Sequence, residues 1–227
     1  KIDHCLVGEP TSPSKMGEMM KIGRRGSITA KIIAKGIQGH SAYPDRANNP
    51  IIAMIKLLDT LASHQLDVGT EHFDPSTLAV TTVDTGNKAS NVIPASTKAA
   101  VNIRFNDSHS GQSLISWLED EMEKVSVEYG IKFETDFKIT GESFITPPGE
   151  LSDLILKAVK KELGVIPKLS TTGGTSDARF IKNVCPVTEF GLVGKTMHAV
   201  DEKVEIKQIN QLKEIYTRIL EAYFAEV

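Results

Sequence analysis

Between residues 27 and 139 the hydrophobic pattern switches between strand period and helix period in one fixed order. Residues 27–35, SITAKIIAK, put Ile28, Ala30, Ile32 and Ala34 on one face. Residues 50–64 then space Ile51, Met54, Ile55, Leu58 and Leu61 as a helical stripe. Residues 77–84 are rich in strand formers, and residues 97–105 alternate again with Ala99, Val101, Ile103 and Phe105 together. Residues 111–129 carry Ile115, Leu118, Met122 and Val125 at helical spacing, with Ser110 as the N-cap. Residues 131–139, IKFETDFKI, close the series as an alternating strand. The order β-α-β-β-α-β predicts a ferredoxin-like split βαβ arrangement, with helices on one face of an antiparallel sheet.

The flanks read as short strands and helices. Residues 4–7 and 19–22 are apolar strands, residues 151–163 a helix with Leu154, Ile155, Ala158 and Val159 inward, and residues 184–191 a buried strand. Residues 206–224 form an amphipathic helix with Ile209, Leu212, Ile215, Ile219 and Tyr223 in one stripe. The expected division is therefore a partial α/β domain from residues 1–24 and 141–227, with residues 25–140 inserted as a lid. The chain starts KIDHCLVGEP, without Met and directly on an apolar strand, which reads as a fragment.

Composition narrows the function classes. The net charge is −3 and no basic stripe occurs, which argues against a nucleic-acid partner. No run is apolar enough to span a membrane. Cys5 and Cys185 make no disulfide framework and read as buried thiols in a reducing cytoplasm.

The candidate chemical residues sit at strand ends and in loops. Glu9, in LVGEPT, follows a buried strand, where α/β sheets hold their ligands; on local pattern alone the solvated turn glutamate before proline is the better reading. His198, in GLVGKTMHAVDE, follows the strand at residues 184–191, and one His with one Glu suits zinc without completing a site. His40, in KGIQGHSAYP, is a loop histidine that either decorates a turn or donates to a developing oxyanion. Arg24, Arg25 and Arg104 are either forks for carboxylates or solvated sheet charges. TTGGTSD, residues 171–177, is a glycine turn opening a helix and suits a carboxylate better than a nucleotide, since it lacks the phosphate-loop Lys. The His-x-Asp pair at His72 and Asp74 reads as a decoy in a polar lid loop, and no Gly-x-Ser-x-Gly elbow occurs.

The stretches VGEPT, GRRGSITAKI, KGIQGHSAYP, NKASNVIPA, NIRF, TTGGTSDARF and MHAVDE occur in order along nearly the whole chain. With them the sequence resembles the C-terminal part of the succinyl-diaminopimelate desuccinylase family, in the zinc aminopeptidase-like clan. The resemblance implies an α/β (α+β) fold: a partial zinc-peptidase-like α/β domain with an inserted ferredoxin-like βαββαβ dimerisation lid. It implies a bacterial cytoplasmic, di-zinc amide hydrolase of lysine and peptidoglycan precursor biosynthesis, with cobalt an alternative to one zinc. That enzyme releases succinate from N-succinyl-LL-2,6-diaminopimelate. It implies that Glu9 and His198 ligate metal and that His40 reaches a partner's active site to stabilise the oxyanion. Arg24, Ser27, Tyr43, Asn91 and Arg104 would bind substrate, and Gly174, Thr175 and Ser176 would line the pocket. The partners would be the small-molecule substrate and a second copy of the chain through the lid.

One departure limits this reading. The family also needs an upstream His-x-Asp pair and an adjacent Glu-Glu pair; no Glu-Glu occurs in this sequence. The expectation is a chain that alone is inactive and holds zinc weakly or not at all. The alternatives are an acetylornithine deacetylase or a dipeptidase of the same clan, or, as the chain stands, a dimerisation module without catalysis.

Overall fold

The computed structural model describes every residue except Thr175, Glu226 and Val227. In chain order the elements are β1 (Cys5–Val7), β2 (Met19–Lys21), β3 (Gly23–Arg24), β4 (Gly26–Lys35), β5 (Gly39–His40), a helical turn at Pro44–Arg46, α1 (Pro50–Ser63), β6 (Thr77–Asp84), β7 (Val92–Ile93) and β8 (Ser96–Phe105). They continue with α2 (Gly111–Tyr129), β9 (Lys132–Gly141), β10 (Phe144–Ile145), α3 (Glu150–Leu163), β11 (Lys168–Ser170), α4 (Ala178–Ile181), β12 (Val187–Glu189) and α5 (Ile206–Ala225). None of the described helices is long and apolar enough to cross a membrane.

The chain divides into a central unit, Gly26–Thr70 with Asp74–Ser143, and a flanking unit, Lys1–Arg25 with Glu71–Phe73 and the chain from Phe144 onward. The expected boundaries lay at residues 24/25 and 140/141. The segment Glu71–Phe73 groups with the flanking unit, and Phe73 is buried, so the polar lid loop expected around His72 is corrected there. A single apolar ring outweighed its polar neighbours, which local composition could not weigh.

In the central unit four strands pair in the order β6-β8-β4-β9, all antiparallel. The split βαβ expectation holds. The inward face carries Ile28, Ala30, Ile32 and Ala34 from β4 and Ala99, Val101, Ile103 and Phe105 from β8. Both helices cover that face. Asn49 caps α1 by accepting from the Ile51 amide at 3.0 Å, and Pro50 enters where its missing N–H costs nothing. Ser110 and Ser113 form a reciprocal capping box at the start of α2, and Gly130 ends it in the left-handed region.

The α1 stripe differs from the sequence expectation. Ala53, Met54, Leu57 and Leu61 face the sheet, while Ile55 is 58% exposed and Ile52 50%. The buried face is thus offset by about one residue from the expected stripe, which leaves two isoleucines outside. The long stripe on α5 holds from Leu212 through Ile215 and Ile219 to Tyr223, and only Ile209 at its start is exposed.

The flanking unit has a mixed sheet in the order β1-β12-β2-β11. β1 runs parallel to β12, and β2 parallel to β11. On one face Met20 and Phe190 pack with Leu151, Leu154, Ile155 and Val159 of α3 and Ile215 and Ile219 of α5. On the other, Val187 packs with Ala178 of α4, and Cys5 and Val7 lie against them. Strand alternation divides Cys5 and Val7 from Leu6, so three residues serve both layers.

Candidate active site

Glu9 and His198 leave the flanking sheet from adjacent parallel strands. Val7 sits opposite Glu189, and the Phe190 amide donates to the Val7 carbonyl at 3.0 Å. Two residues on, the backbones touch: a Cβ on Gly191 would come within 2.4 Å of the Glu9 carbonyl oxygen. Glycine is therefore required there, and the contact brings the Glu9 turn against the segment leading to His198. That segment is tied down further. The Gly194 amide donates to the Ser12 carbonyl at 2.9 Å. The Thr196 hydroxyl donates to the Lys203 carbonyl at 2.8 Å and accepts from its amide at 3.0 Å, pinching the loop between them. Within it His198 and Asp201 both hold φ of 62°, an uncommon conformation for non-glycine residues. Glu202 accepts from the His198 amide at 3.3 Å, and the His198 side chain is exposed.

Among the described residues, no group of three or more His, Cys, Asp and Glu side chains is placed to hold a metal. A catalytic zinc takes three protein ligands and a water. Glu9 and His198 have the right donor types and are too few. Among the described residues these two do not complete a metal centre.

The glycine loop beside these strands is fixed by buried charge. Arg24, at the end of β3, donates from Nε to Glu189 Oε1 at 3.1 Å and from Nη2 to Glu189 Oε2. Its Nη1 reaches the Thr172 carbonyl at 3.3 Å. The Ser176 hydroxyl donates to the same Glu189 carboxylate. Both members of the ion pair are buried. From the other side, Lys21 Nζ donates to Ser170 Oγ at 3.1 Å and Thr172 Oγ1 at 2.8 Å. Gly173, at φ 107°, brings its backbone against the guanidinium: a Cβ there would lie 2.4 Å from Arg24 Nη1.

Arg24 and Ser176, expected at the substrate, both have internal partners. Their polar atoms engage an internal carboxylate, because a buried arginine needs a compensating charge and Glu189 supplies it. Gly174 has open space around its backbone, and Thr175 lies outside the described residues. The helix expected after the glycine turn, α4, is one turn long, too short for its amide ends to act as an anion site. Glu189 was missed by sequence reasoning. The signal available was a carboxylate closing an otherwise apolar strand, VTE.

The central unit holds the other expected residues in two groups. Ser27 and Arg104 face each other across β4 and β8, with Arg104 Nε donating to Asn102 at 3.0 Å. His40 pairs with Val92 across the short β5–β7 ladder, and the Asn91 carbonyl accepts from the Ser41 amide at 3.0 Å. The Tyr43 ring lies 5.8 Å from the His40 ring, tilted 59° to it, and Arg46 lies over Tyr43. The Ala42 amide donates to His40 Nδ1 at 3.0 Å. In the neutral ring the proton then sits on Nε2, which leaves an outward donor.

Cys5 is not a candidate nucleophile. Burial pushes its thiol up, and neighbouring Cys185 adds to the shift, so both suit inert packing.

Residues 22–130 match the peptidase dimerisation domain family. The succinyl-diaminopimelate desuccinylase of Ruegeria pomeroyi is 66% identical over 97% of this chain and 58% of its own length. The chain therefore spans a little over half the length of that relative. Among solved structures, the aminopeptidase PepT of Bacillus cereus aligns with a TM-score of 0.79 at 17% identity, covering 95% of this chain and 56% of its own. An M20 family metallo-carboxypeptidase of Sulfolobus solfataricus aligns with a TM-score of 0.76 at 14% identity, covering 98% and 64%. At such identities the two structures speak for the fold alone.

Proposed function

Residues 22–130 of this chain belong to the peptidase dimerisation domain family, and from that premise we propose that the chain is part of a bacterial cytoplasmic amide hydrolase of the succinyl-diaminopimelate desuccinylase kind. The substrate is N-succinyl-LL-2,6-diaminopimelate and the products are succinate and LL-2,6-diaminopimelate. The carrying observation is the 66% identity with a desuccinylase, which runs through both units rather than the dimerisation segment alone.

The roles follow from chemistry and placement. His40 presents a donor at Nε2, suited to the oxygen that gains charge as the amide carbonyl is attacked. Arg104, with Ser27 opposite, offers a fork for a substrate carboxylate, and Tyr43 and Asn91 stand beside His40. Arg24 offers its remaining N–H groups to a second carboxylate, and Gly174 and Ser176 stand beside that substrate group; Thr175, given the same role by the resemblance, lies outside the described residues. Glu9 and His198 are donors for zinc whose other ligands lie outside this sequence.

The homodimer forms through the central unit. Strand β6 is an open sheet edge with Val83 60% exposed, and α1 beside it leaves Ile52 and Ile55 outside. An unpaired edge beside exposed apolar side chains favours pairing with a second copy.

The test is the full-length enzyme assayed on N-succinyl-, N-acetyl- and dipeptide amides, with its mass measured by sedimentation. The reading expects succinyl hydrolysis to dominate and a dimer mass. A preference for the acetyl or peptide amide would replace the substrate, and no hydrolysis of any amide by a metal-loaded dimer would leave a dimerisation module.

A further inference from the structure

The pair formed by Arg24 and Glu189 does more than neutralise a buried charge. An arginine carries five N–H donors in a planar fork. Glu189 takes Nε and Nη2 along one edge, and the Thr172 carbonyl takes one proton of Nη1. Two N–H groups, one on each terminal nitrogen, are left over after these three bonds. The plane in which they point is set by the carboxylate, because a two-point contact removes rotation about the last side-chain bond. Glu189 itself is held by the Ser176 hydroxyl and by its place in β12, where it is 2% exposed. The same carboxylate thus ties β3 to the far end of the glycine loop, while Thr172 ties the near end.

We propose that Glu189 is a positioning residue for substrate recognition: it orients Arg24 and holds Ser176, so that the free N–H pair of Arg24 meets one substrate carboxylate in a fixed geometry. The proposal rests on the reading that Arg24 binds a substrate carboxylate. Glu189 touches no substrate in this account; it acts through Arg24. The arrangement is specific to an anion of carboxylate shape. A guanidinium free to swing would still attract negative charge but would lose the two-point fit, so weakened orientation should appear as selective loss for one carboxylate rather than as general loss of activity.

The experiment uses the full-length enzyme and a substrate set in which each carboxylate in turn is replaced by a carboxamide. Arg24→Met is measured first. It should raise KM for the parent substrate and for every analogue except one, identifying the carboxylate that Arg24 holds. Glu189→Gln should then raise KM about tenfold with the same single exception, with kcat changed less than threefold. Glu189→Asp retains the charge with a shorter reach and should show the same selectivity with a smaller rise; it carries the test if the glutamine variant does not fold. Arg24→Met without selectivity would sink the reading of Arg24. Selective Arg24→Met alongside folded Glu189 variants that raise KM equally for all substrates would sink the role of Glu189 alone.

Discussion

The two units solve the same packing problem with different means. In the central unit the two inner strands are ten residues long, and each places a run of apolar side chains under two well-capped helices. In the flanking unit the four paired strands are three residues long, and the core is assembled from helix faces and strand ends distant in sequence. Each unit also has a polar centre, and these differ in kind. In the central unit Asp67 accepts from the Gly69 amide at 2.7 Å, the Ser76 amide at 3.1 Å and Asn106 Nδ2 at 2.6 Å, with His109 Nε2 at 3.1 Å. In the flanking unit Glu189 pairs with the full charge of Arg24. In the central unit one carboxylate gathers backbone and side-chain donors from its loops, whereas in the flanking unit the carboxylate faces a buried cation.

The largest test of that contrast breaks the buried pair. Glu189→Ala leaves the Arg24 charge buried and unpaired, which costs about 3–5 kcal/mol. Hydrogen exchange should show amides of β12, β2 and β11 losing protection while the slowest amides of β4 and β8 retain theirs. Equal loss in both units would mean that they unfold together and the contrast is only descriptive.

A second test addresses Asp67. Burial alone would raise its carboxyl pKa, but the hydrogen bonds from Ser76, Gly69 and Asn106 outweigh that and hold it at about 2, below the usual 3.8. A carboxyl lowered in the fold stabilises above its unfolded value and loses that contribution as pH falls through the folded value. The contribution, about 2 kcal/mol at neutral pH, should therefore disappear between about pH 4 and pH 2. Urea titrations should show Asp67→Asn less stable than the parent chain at pH 7 and level with it near pH 2. A constant gap across that range would remove the carboxylate charge as the cause.

The smallest effect compares helix starts. Ser110 accepts from the Ser113 amide at 3.0 Å, closing a two-way box on α2, whereas α3 begins at Gly149, which has no side chain to give. Ser110→Ala should cost about 1 kcal/mol. Ser152→Ala removes the bonds of its hydroxyl to the Gly149 amide and carbonyl, both 2.8 Å and both to the N-cap residue alone, and should cost less. Thermal unfolding of the two variants separates them, and the reverse order would show that α3 depends on its cap more than its apolar face suggests.

Much of the fold was legible. The periods of β4, β8, α2 and α3 were read correctly because each element has enough residues for its pattern to repeat. The rotation of α1 was not, since its isoleucines allow more than one apolar stripe and the packed face runs through Ala53 and Leu57. In the site, Glu9 and His198 stood out by residue type and by their place after strands. Glu189 and Asp67 did not, because a single carboxylate in a strand or loop carries no periodic signal.

The sequence by itself determined the alternation of strands and helices, the caps of α1 and α2, and the residue types available for chemistry, all of which depend on neighbours a few positions apart. Only the tertiary structure decided that Arg24, Ser176 and Glu189 meet, the charged partners lying 165 positions apart in sequence. Such a meeting depends on which strands pair and in what register, and the free energy of burying a charge acts on that final arrangement rather than on any local segment.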